Sequence, residues 1–322
     1  MSVHPPAAAV PRRPALSPSC RLVRDGKRYL VEQAGTVVTF EGRAVDTLLE
    51  RLVPLLDGTR TVDELAHVLG PSVAPAIDQA LSLLESHRLL VDGPSPVDAD
   101  LAVAAAVEFA VGVNRRKDRA EAVQALRDAH VAILGSGPGA AEAAQQLEGT
   151  GVGRVDALGM DSEPPSGSFV LAAPCPDEVP LLADVNERAL ARGGSWLQLL
   201  PFDGRVVVAG PLFVPGLSAC HRCYLLRRGA CSGYEEDFGL IETTPVRAPS
   251  PSPVAALGAS LATLVSLRWL ATSDPSLPGR FYALDVGSVL GLSYEVVLRV
   301  PRCPACGPPP RAVPLPWFAE TP

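Results

Sequence analysis

Two Cys-x-x-Cys pairs, Cys220-His221-Arg222-Cys223 and Cys303-Pro304-Ala305-Cys306, constrain this chain more than any other feature. Each pair can place two thiolates on one ion, and four thiolates make the closed tetrahedral site of a structural zinc. The spacing leaves two alternatives open: thiols that stay free, and a redox pair. A shared ion obliges the fold to bring the middle of the chain against its C-terminal region. Loss of that ion should then loosen the whole domain that contains both pairs. His221, inside the first pair, reads as a bystander, and Cys231 reads as the lesser candidate for a ligand.

The prior for seven cysteines depends on the compartment. The N-terminal stretch is broken by Pro5, Pro6, Pro11, Pro14 and Pro18 and lacks the roughly 7–15-residue apolar core of a signal peptide. The longest apolar run, Val254 to Leu267, carries Ser260 and Thr263 and falls short of the ~20 residues a bilayer requires. A cytoplasmic protein without a membrane span is therefore expected, where metal ligation comes before disulfides. A net charge of −7 argues against nucleic acid and anionic membranes as partners. Lys27 and Lys117 are the chain's lysines, so an obligatory catalytic lysine has few candidates.

A chain of 322 residues carries a prior of about two domains. After a tail (1–19) expected to be disordered, three short strands follow. Arg21–Arg24 and Lys27–Val31 flank Asp25-Gly26, and Thr36–Phe40 follows Ala34-Gly35. The period then changes to that of a helix, with Val45, Leu48, Leu49, Leu52, Val53 and Leu56 on one stripe that stops at Asp57-Gly58. Thr61-Val62-Asp63-Glu64 is a capping box for a second helix with Leu65, Val68 and Leu69 inward. A third helix aligns Val73, Ile77, Ala80, Leu81 and Leu84 and ends near His87, before Leu89–Val91. The order βββααα(β) over 20–92 describes a winged helix.

Such a unit has two uses besides being a plain structural subdomain. One is DNA reading by the third helix, but that helix carries Asp78 and Glu85 and lacks phosphate contacts. The other is peptide capture by strand addition. The edge Thr36, Val37, Val38, Thr39 and Phe40 would supply backbone hydrogen bonds, and the helix face at Ile77, Leu81 and Leu84 would supply pockets. Phe40-Glu41-Gly42, Leu55 through Leu65 with its DGTRTVDEL core, and Ala80-Leu81 with Leu84, Leu89 and Leu90 resemble the PqqD-like domains. These are the recognition elements that bind leader peptides of ribosomally made natural products, and the resemblance implies that role for 20–92.

A linker at 93–100, around Pro94 and Pro96, precedes a second domain at 101–307. Val131–Leu134 is a continuous apolar run suited to a buried parallel strand, and Gly135-Ser136-Gly137-Pro138-Gly139-Ala140 then opens a helix. This strand–turn–helix order matches GxGxxA and can present N–H groups to phosphate, although many such turns are only tight connections. The later segments, Gly151–Val155, Phe169–Ala173, Gly204–Val208, Pro211-Leu212-Phe213, Cys220–Tyr224 and Cys303–Gly307, together resemble the ThiF/E1-like adenylating enzymes. The resemblance implies an α/β, Rossmann-type parallel-sheet domain with its structural zinc at Cys220, Cys223, Cys303 and Cys306.

The groups that hold ATP and magnesium in those enzymes are largely missing. After the second strand only Asp161 keeps an acid, no Ser-Asn-Leu-x-Arg-Gln stretch follows, and Ala173-Pro174-Cys175-Pro176 replaces the usual Asp after the third strand. Gly135, Gly137, Gly139 and Asp161 therefore read as vestigial, and no ATP cofactor is expected.

A leader-binding domain fused to such an E1-like domain resembles the ocin-ThiF-like precursor-peptide-binding proteins of azole- and azoline-forming clusters, including thiopeptide clusters. That resemblance implies a non-catalytic scaffold that hands the core of a precursor to a separate YcaO cyclodehydratase, which closes Cys, Ser or Thr into azolines. It also implies a homodimer. The alternatives are an ATP-dependent adenylating enzyme acting on a peptide or carrier protein, and a winged-helix regulator. Cys175 and Cys231 have no activating base in sequence, and the five histidines show no metal or triad spacing. Arg115-Arg116-Lys117 reads as a solvated face, and Pro314–Phe318, in a proline-rich tail over 308–322, as an extended segment with exposed aromatics.

Overall fold

Short-range chemistry sets the first elements. In the computed structural model, Ala34 and Gly35 both take positive φ (48° and 83°), the two-residue type I′ turn that joins β3 (Arg28–Gln33) to β4 (Thr36–Glu41). With β2 (Arg21–Asp25) these strands form a three-stranded antiparallel sheet in the order β2-β3-β4. The structure describes residues 10–26, 28–42, 45–94, 101–113, 118–245, 249–287 and 290–307. Arg115–Lys117 and the tail beyond Gly307 lie outside them.

A helical run follows, in which α1 (Glu50–Leu52) sits between a π turn at Val45–Leu49 and a 3₁₀ turn at Val53–Leu55. Then come α2 (Val62–Leu69), α3 (Ala74–Ser86) and β5 (Leu90–Asp92). The capping box closes as its spacing predicts, with Thr61 N–H donating to Glu64 at 2.7 Å and Glu64 N–H to Thr61 Oγ1 at 3.3 Å. Val31, Val38, Leu52, Leu65, Ile77, Leu81 and Leu84 share one core. Val68, expected inward, is 52% exposed because it falls off the stripe of Leu65 and Leu69.

Part of the segment read as a tail is folded. Pro14–Leu16 form β1, which pairs antiparallel with β5, and Ala15 is buried. Gly58 must be glycine there, because a Cβ would meet the Gly93 carbonyl oxygen at 2.1 Å. Gly93, assigned to the linker, is itself a packed node: its N–H donates to Arg13 O and its carbonyl accepts from buried Arg119. α4 (Leu101–Val113) and α5 (Arg119–Asp128) follow, joined by an ion pair between Glu108 and Arg119. The chain divides into two units accordingly late: 1–127 with 267–273, and 128–266 with 274–322.

The second unit is built on a seven-stranded sheet in the order β12-β11-β10-β9-β8-β6-β7. β6 (His130–Leu134), β7 (Arg154–Leu158), β8 (Phe169–Ala172) and β9 (Trp196–Leu200) run parallel, with α5 leading into β6. α6 (Pro138–Glu148) connects β6 to β7, and α7 (Leu182–Arg192) connects β8 to β9. β10 (Val206–Phe213), β11 (Arg280–Asp285) and β12 (Gly291–Val296) are antiparallel, so the sheet expected to be parallel is mixed. The connections from β9 to β10 and from β11 to β12 are too short for a parallel crossover.

α8 (His221–Cys231), α9 (Phe238–Glu242) and α10 (Ser252–Thr272) link β10 to β11. With 21 residues α10 is longer than the apolar run read from sequence, and by length and composition it could cross a bilayer. Gly258 lies directly on the sheet, where a Cβ would meet Val207 Cγ1 at 2.5 Å, and Thr263 and Ser266 are buried. Those contacts are of a core helix.

Candidate functional site

The four cysteines of the two pairs converge. Cys220 and Cys223 stand at the start of α8, and Cys303 and Cys306 follow β12 in a tight turn closed by Gly307 N–H to Cys303 O at 2.8 Å. The sulfurs lie within 4.8 Å of one another, with separations of 3.8, 3.6 and 3.5 Å for the pairs 220–223, 220–303 and 223–306. Ligands at ~2.3 Å from a tetrahedral zinc stand about 3.8 Å apart, whereas a disulfide needs about 2.05 Å. The donor set thus fits a four-thiolate metal and does not contain an oxidised pair. Burial pushes the Cys220 thiol up. Burial also opposes ionisation of Cys303, yet the N–H groups of Cys306 and Ala305 bring its thiol down to about 7.

His221 takes no part in the cluster. Its ring sits between Trp196, Phe213 and Tyr224, and its Nδ1 meets Gln198 Oε1 at 3.1 Å. Burial, followed by the charges of Arg222 and Arg228, pushes it down to about 4, so the imidazole is neutral at pH 7.

At the glycine-rich turn, two of the N–H groups that could meet a phosphate, those of Ser136 and Gly137, are already engaged. Gly137 N–H donates to Ala173 O at 3.0 Å, and Pro138 has none to offer. Ser136 donates from both N–H (2.9 Å) and Oγ (3.0 Å) to the carboxylate of Glu178, which also accepts from Cys175 N–H at 2.8 Å. An internal anion therefore holds both Ser136 donors of the turn. The remaining space beside Gly137, Gly139, Leu199 and Pro201 is about 20 Å³, room for one water. Asp161 is exposed and stands outside this contact.

Glu178 was not among the residues read from sequence. Its signal was available locally, because Cys175-Pro176-Asp177-Glu178 has capping-box spacing; its reach to Ser136 depends on β6 and β8 being neighbours. Burial works to raise this carboxyl, but the N–H groups of Ser136 and Cys175 and the Ser136 hydroxyl outweigh it and hold it below the ordinary glutamate range. A depressed carboxyl contributes stability that is present above its unfolded pKa and lost as pH falls through its folded pKa. Glu178→Gln should therefore be less stable than wild type at pH 7, with the gap closing in acid. Denaturant midpoints of the two proteins between pH 7 and pH 3 check this, and a gap independent of pH would contradict it.

A second cavity in this unit, about 1110 Å³, opens between the β10–β12 face at Val208 and Phe281 and the segment carrying Tyr224, Leu240 and Glu242. Its wall is mostly apolar, and two half-buried charges on it, Arg228 and Glu242, pair with each other. Cys231 lines it without a histidine among the described lining residues.

In the first unit, Ile77, Leu81 and Leu84 are fully buried in the core. They cannot line a peptide groove themselves; Pro75, Ala76, Asp78, Gln79, Ser82, Leu83 and Ser86 are the exposed positions on α3. β4 is an edge strand among the described residues, with Thr36, Val37 and Thr39 exposed, Phe40 half-buried and Val38 buried. The two-residue turn makes Gln33–Thr36 a hydrogen-bonded pair. Alternation then directs the N–H of Val38, opposite Val31, towards β3, and those of Val37, Thr39 and Glu41 towards the free edge.

No family model and no curated protein matches the chain. Among solved structures, it is similar to a heterocyclase in complex with substrate and cofactor (TM-score 0.65, 22% identity, 91% of this chain and 39% of that one). It is also similar to the heterocyclase TruD (TM-score 0.65, 23% identity, 92% and 43%). E. coli MccB solved with ATP aligns over nearly its full length (TM-score 0.66, 13% identity, 91% and 99%). The chain thus spans roughly two fifths of the two heterocyclases, and at these identities the likeness shows a shared fold.

Proposed function

We propose that this chain binds the leader of a ribosomally made precursor peptide by strand addition to β4 and presents the core to a separate YcaO cyclodehydratase, without chemistry of its own. The observation that carries this reading is the free edge of β4, which offers the N–H and C=O groups of Val37, Thr39 and Glu41 to an incoming strand. The engaged donors of Ser136 and Gly137 support the absence of ATP use, since Glu178 and Ala173 hold N–H groups that a nucleotide phosphate would need. The likeness to heterocyclases and to MccB supports a place in the modification of ribosomal peptides, and a cytoplasmic location accords with it. Zinc is the ion that the four thiolates suit best, in a structural role. The contribution to catalysis is proximity: a tethered leader raises the local concentration of the core at the partner's active site.

Fluorescence polarisation of a labelled leader, titrated with full-length protein with and without Mg-ATP, tests the proposal. Saturable binding indifferent to ATP is expected, and no binding would remove it; ATP-dependent pyrophosphate release in the presence of peptide would favour an adenylating enzyme. Thr39→Pro deletes an outward N–H without touching the β3 ladder and should weaken binding at least tenfold, about 1.4 kcal/mol. Val38→Pro is the wrong probe, because it breaks the bond to Val31 and disturbs a buried position. Leader binding unaffected by Thr39→Pro would place the docking edge elsewhere.

A further inference from the structure

We infer that the chain's own segment Pro314–Phe318 docks in cis into the cavity of about 1110 Å³ and is its resident occupant. The cavity wall carries Leu240, Ile241, Val296 and Leu298, which are 71%, 46%, 49% and 64% exposed among the described residues. So much apolar surface gathered at one opening marks a surface that something covers. Three aromatic rings, Tyr224, Tyr234 and Phe281, also line it. An aromatic-lined groove is the receptor that proline-rich segments fit, because prolines hold such a segment extended before it binds and little ordering entropy remains to be lost.

The chain supplies that segment beside the cavity. From Ala312 to Ala319 it carries no charge, and Pro314-Leu315-Pro316-Trp317-Phe318 concentrates its bulk in five residues. The point of departure, Gly307, is tied to the wall: Arg299 donates to Cys306 O at 3.0 Å, and Leu298, the residue before Arg299, lines the cavity. Arg227, another lining residue, donates to Leu298 O at 3.2 Å and to Arg299 O at 3.2 Å. Bond lengths along this path put Leu298 under about 20 Å from Gly307, and the seven residues from there to Pro314 span up to ~22 Å when extended. A buried indole N–H needs an acceptor, and the carboxylates of Asp203 and Glu242 stand in the wall. The tether selects this occupant over a separate molecule, because a short linker holds the segment at an effective concentration of roughly millimolar. The inference does not depend on leader binding at β4, which lies in the other unit.

Cys231 is a natural reporter, since it lines the cavity and is exposed among the described residues. Its alkylation rate by iodoacetamide, read by peptide mapping of the full-length chain, tests the inference, with circular dichroism confirming that each variant is folded. Wild type should react at least tenfold more slowly than a chain carrying both Trp317→Ser and Phe318→Ser. Leu240→Asp, at an exposed wall position, should release the same protection with the segment intact. A labelled peptide of residues 308–322 should bind the W317S/F318S chain saturably in fluorescence polarisation. It should bind the wild type at least tenfold more weakly, because the tethered copy competes. Equal alkylation rates in wild type and W317S/F318S would overturn the proposal, and a precursor peptide that then slowed both would assign the cavity to substrate. Protection that fades on dilution would also overturn it, since the occupant would be the segment of a second copy. Should either substituted chain fail to fold, dilution and the labelled peptide's own competition for Cys231 decide on the wild type and the remaining variant.

Discussion

Cys303→Ser should leave the second unit without its metal and without a cooperative unfolding transition. Structural zinc sites contribute about 10–16 kcal/mol of apparent binding energy in small domains, comparable to the ~5–15 kcal/mol that holds a typical domain together. Here the ion would tie α8, whose Tyr224 packs on Phe281 of β11, to the turn after β12. Without it, the four sulfurs, three of them buried, keep only weak thiol contacts. Elemental analysis of the purified protein should find zinc in stoichiometric amount, and calorimetry should show the transition lost in C303S and after chelation under denaturing stress. A metal-free wild-type protein with the same unfolding profile would refute the assignment.

The second large effect concerns the first unit. Arg119 is 2% exposed, with Nε 2.8 Å from Glu108 Oε1 and a terminal nitrogen 3.2 Å from Gly93 O. The Nε–Oε1 contact is an ion pair whose N–H direction is poorly aligned for a hydrogen bond. Removing one partner of such a buried pair strands the other charge, at about 3–5 kcal/mol. Glu108→Ala should therefore be severely destabilised in denaturant titration. Replacing both partners, with Glu108→Leu and Arg119→Met, should recover most of the loss, because buried pairs exchange for apolar packing at little net cost. If the single and double variants were equally unstable, the loss would belong to packing around the stems and not to charge.

The element order of the first unit illustrates how far local patterns reach. Ala34-Gly35, Thr61 with Glu64, and the stripe of Leu65, Ile77, Leu81 and Leu84 each act within a few residues or one helical period, so they can be read directly. The same stripe misled on function, since a periodic apolar face signals burial and says nothing of a pocket. β1 escaped notice because its prolines read as disorder, and its strand exists only through pairing with β5. Gly93 looked like linker for a similar reason, as its partners Arg13, Asp118 and Arg119 are distant in sequence.

What the amino-acid sequence by itself determined was the strand and helix order from β2 to β5, the turns, the four thiols and the missing acids of a nucleotide site. All of these are set by residue type and short spacing. Tertiary structure alone decided three other features. Glu178 reaches Ser136 only because β6 lies beside β8. The backbone groups of β4 that are free depend on the phase of its ladder with β3. β12 has an open flank because the sheet ends there, and strand order is a property of long-range pairing that no local pattern encodes.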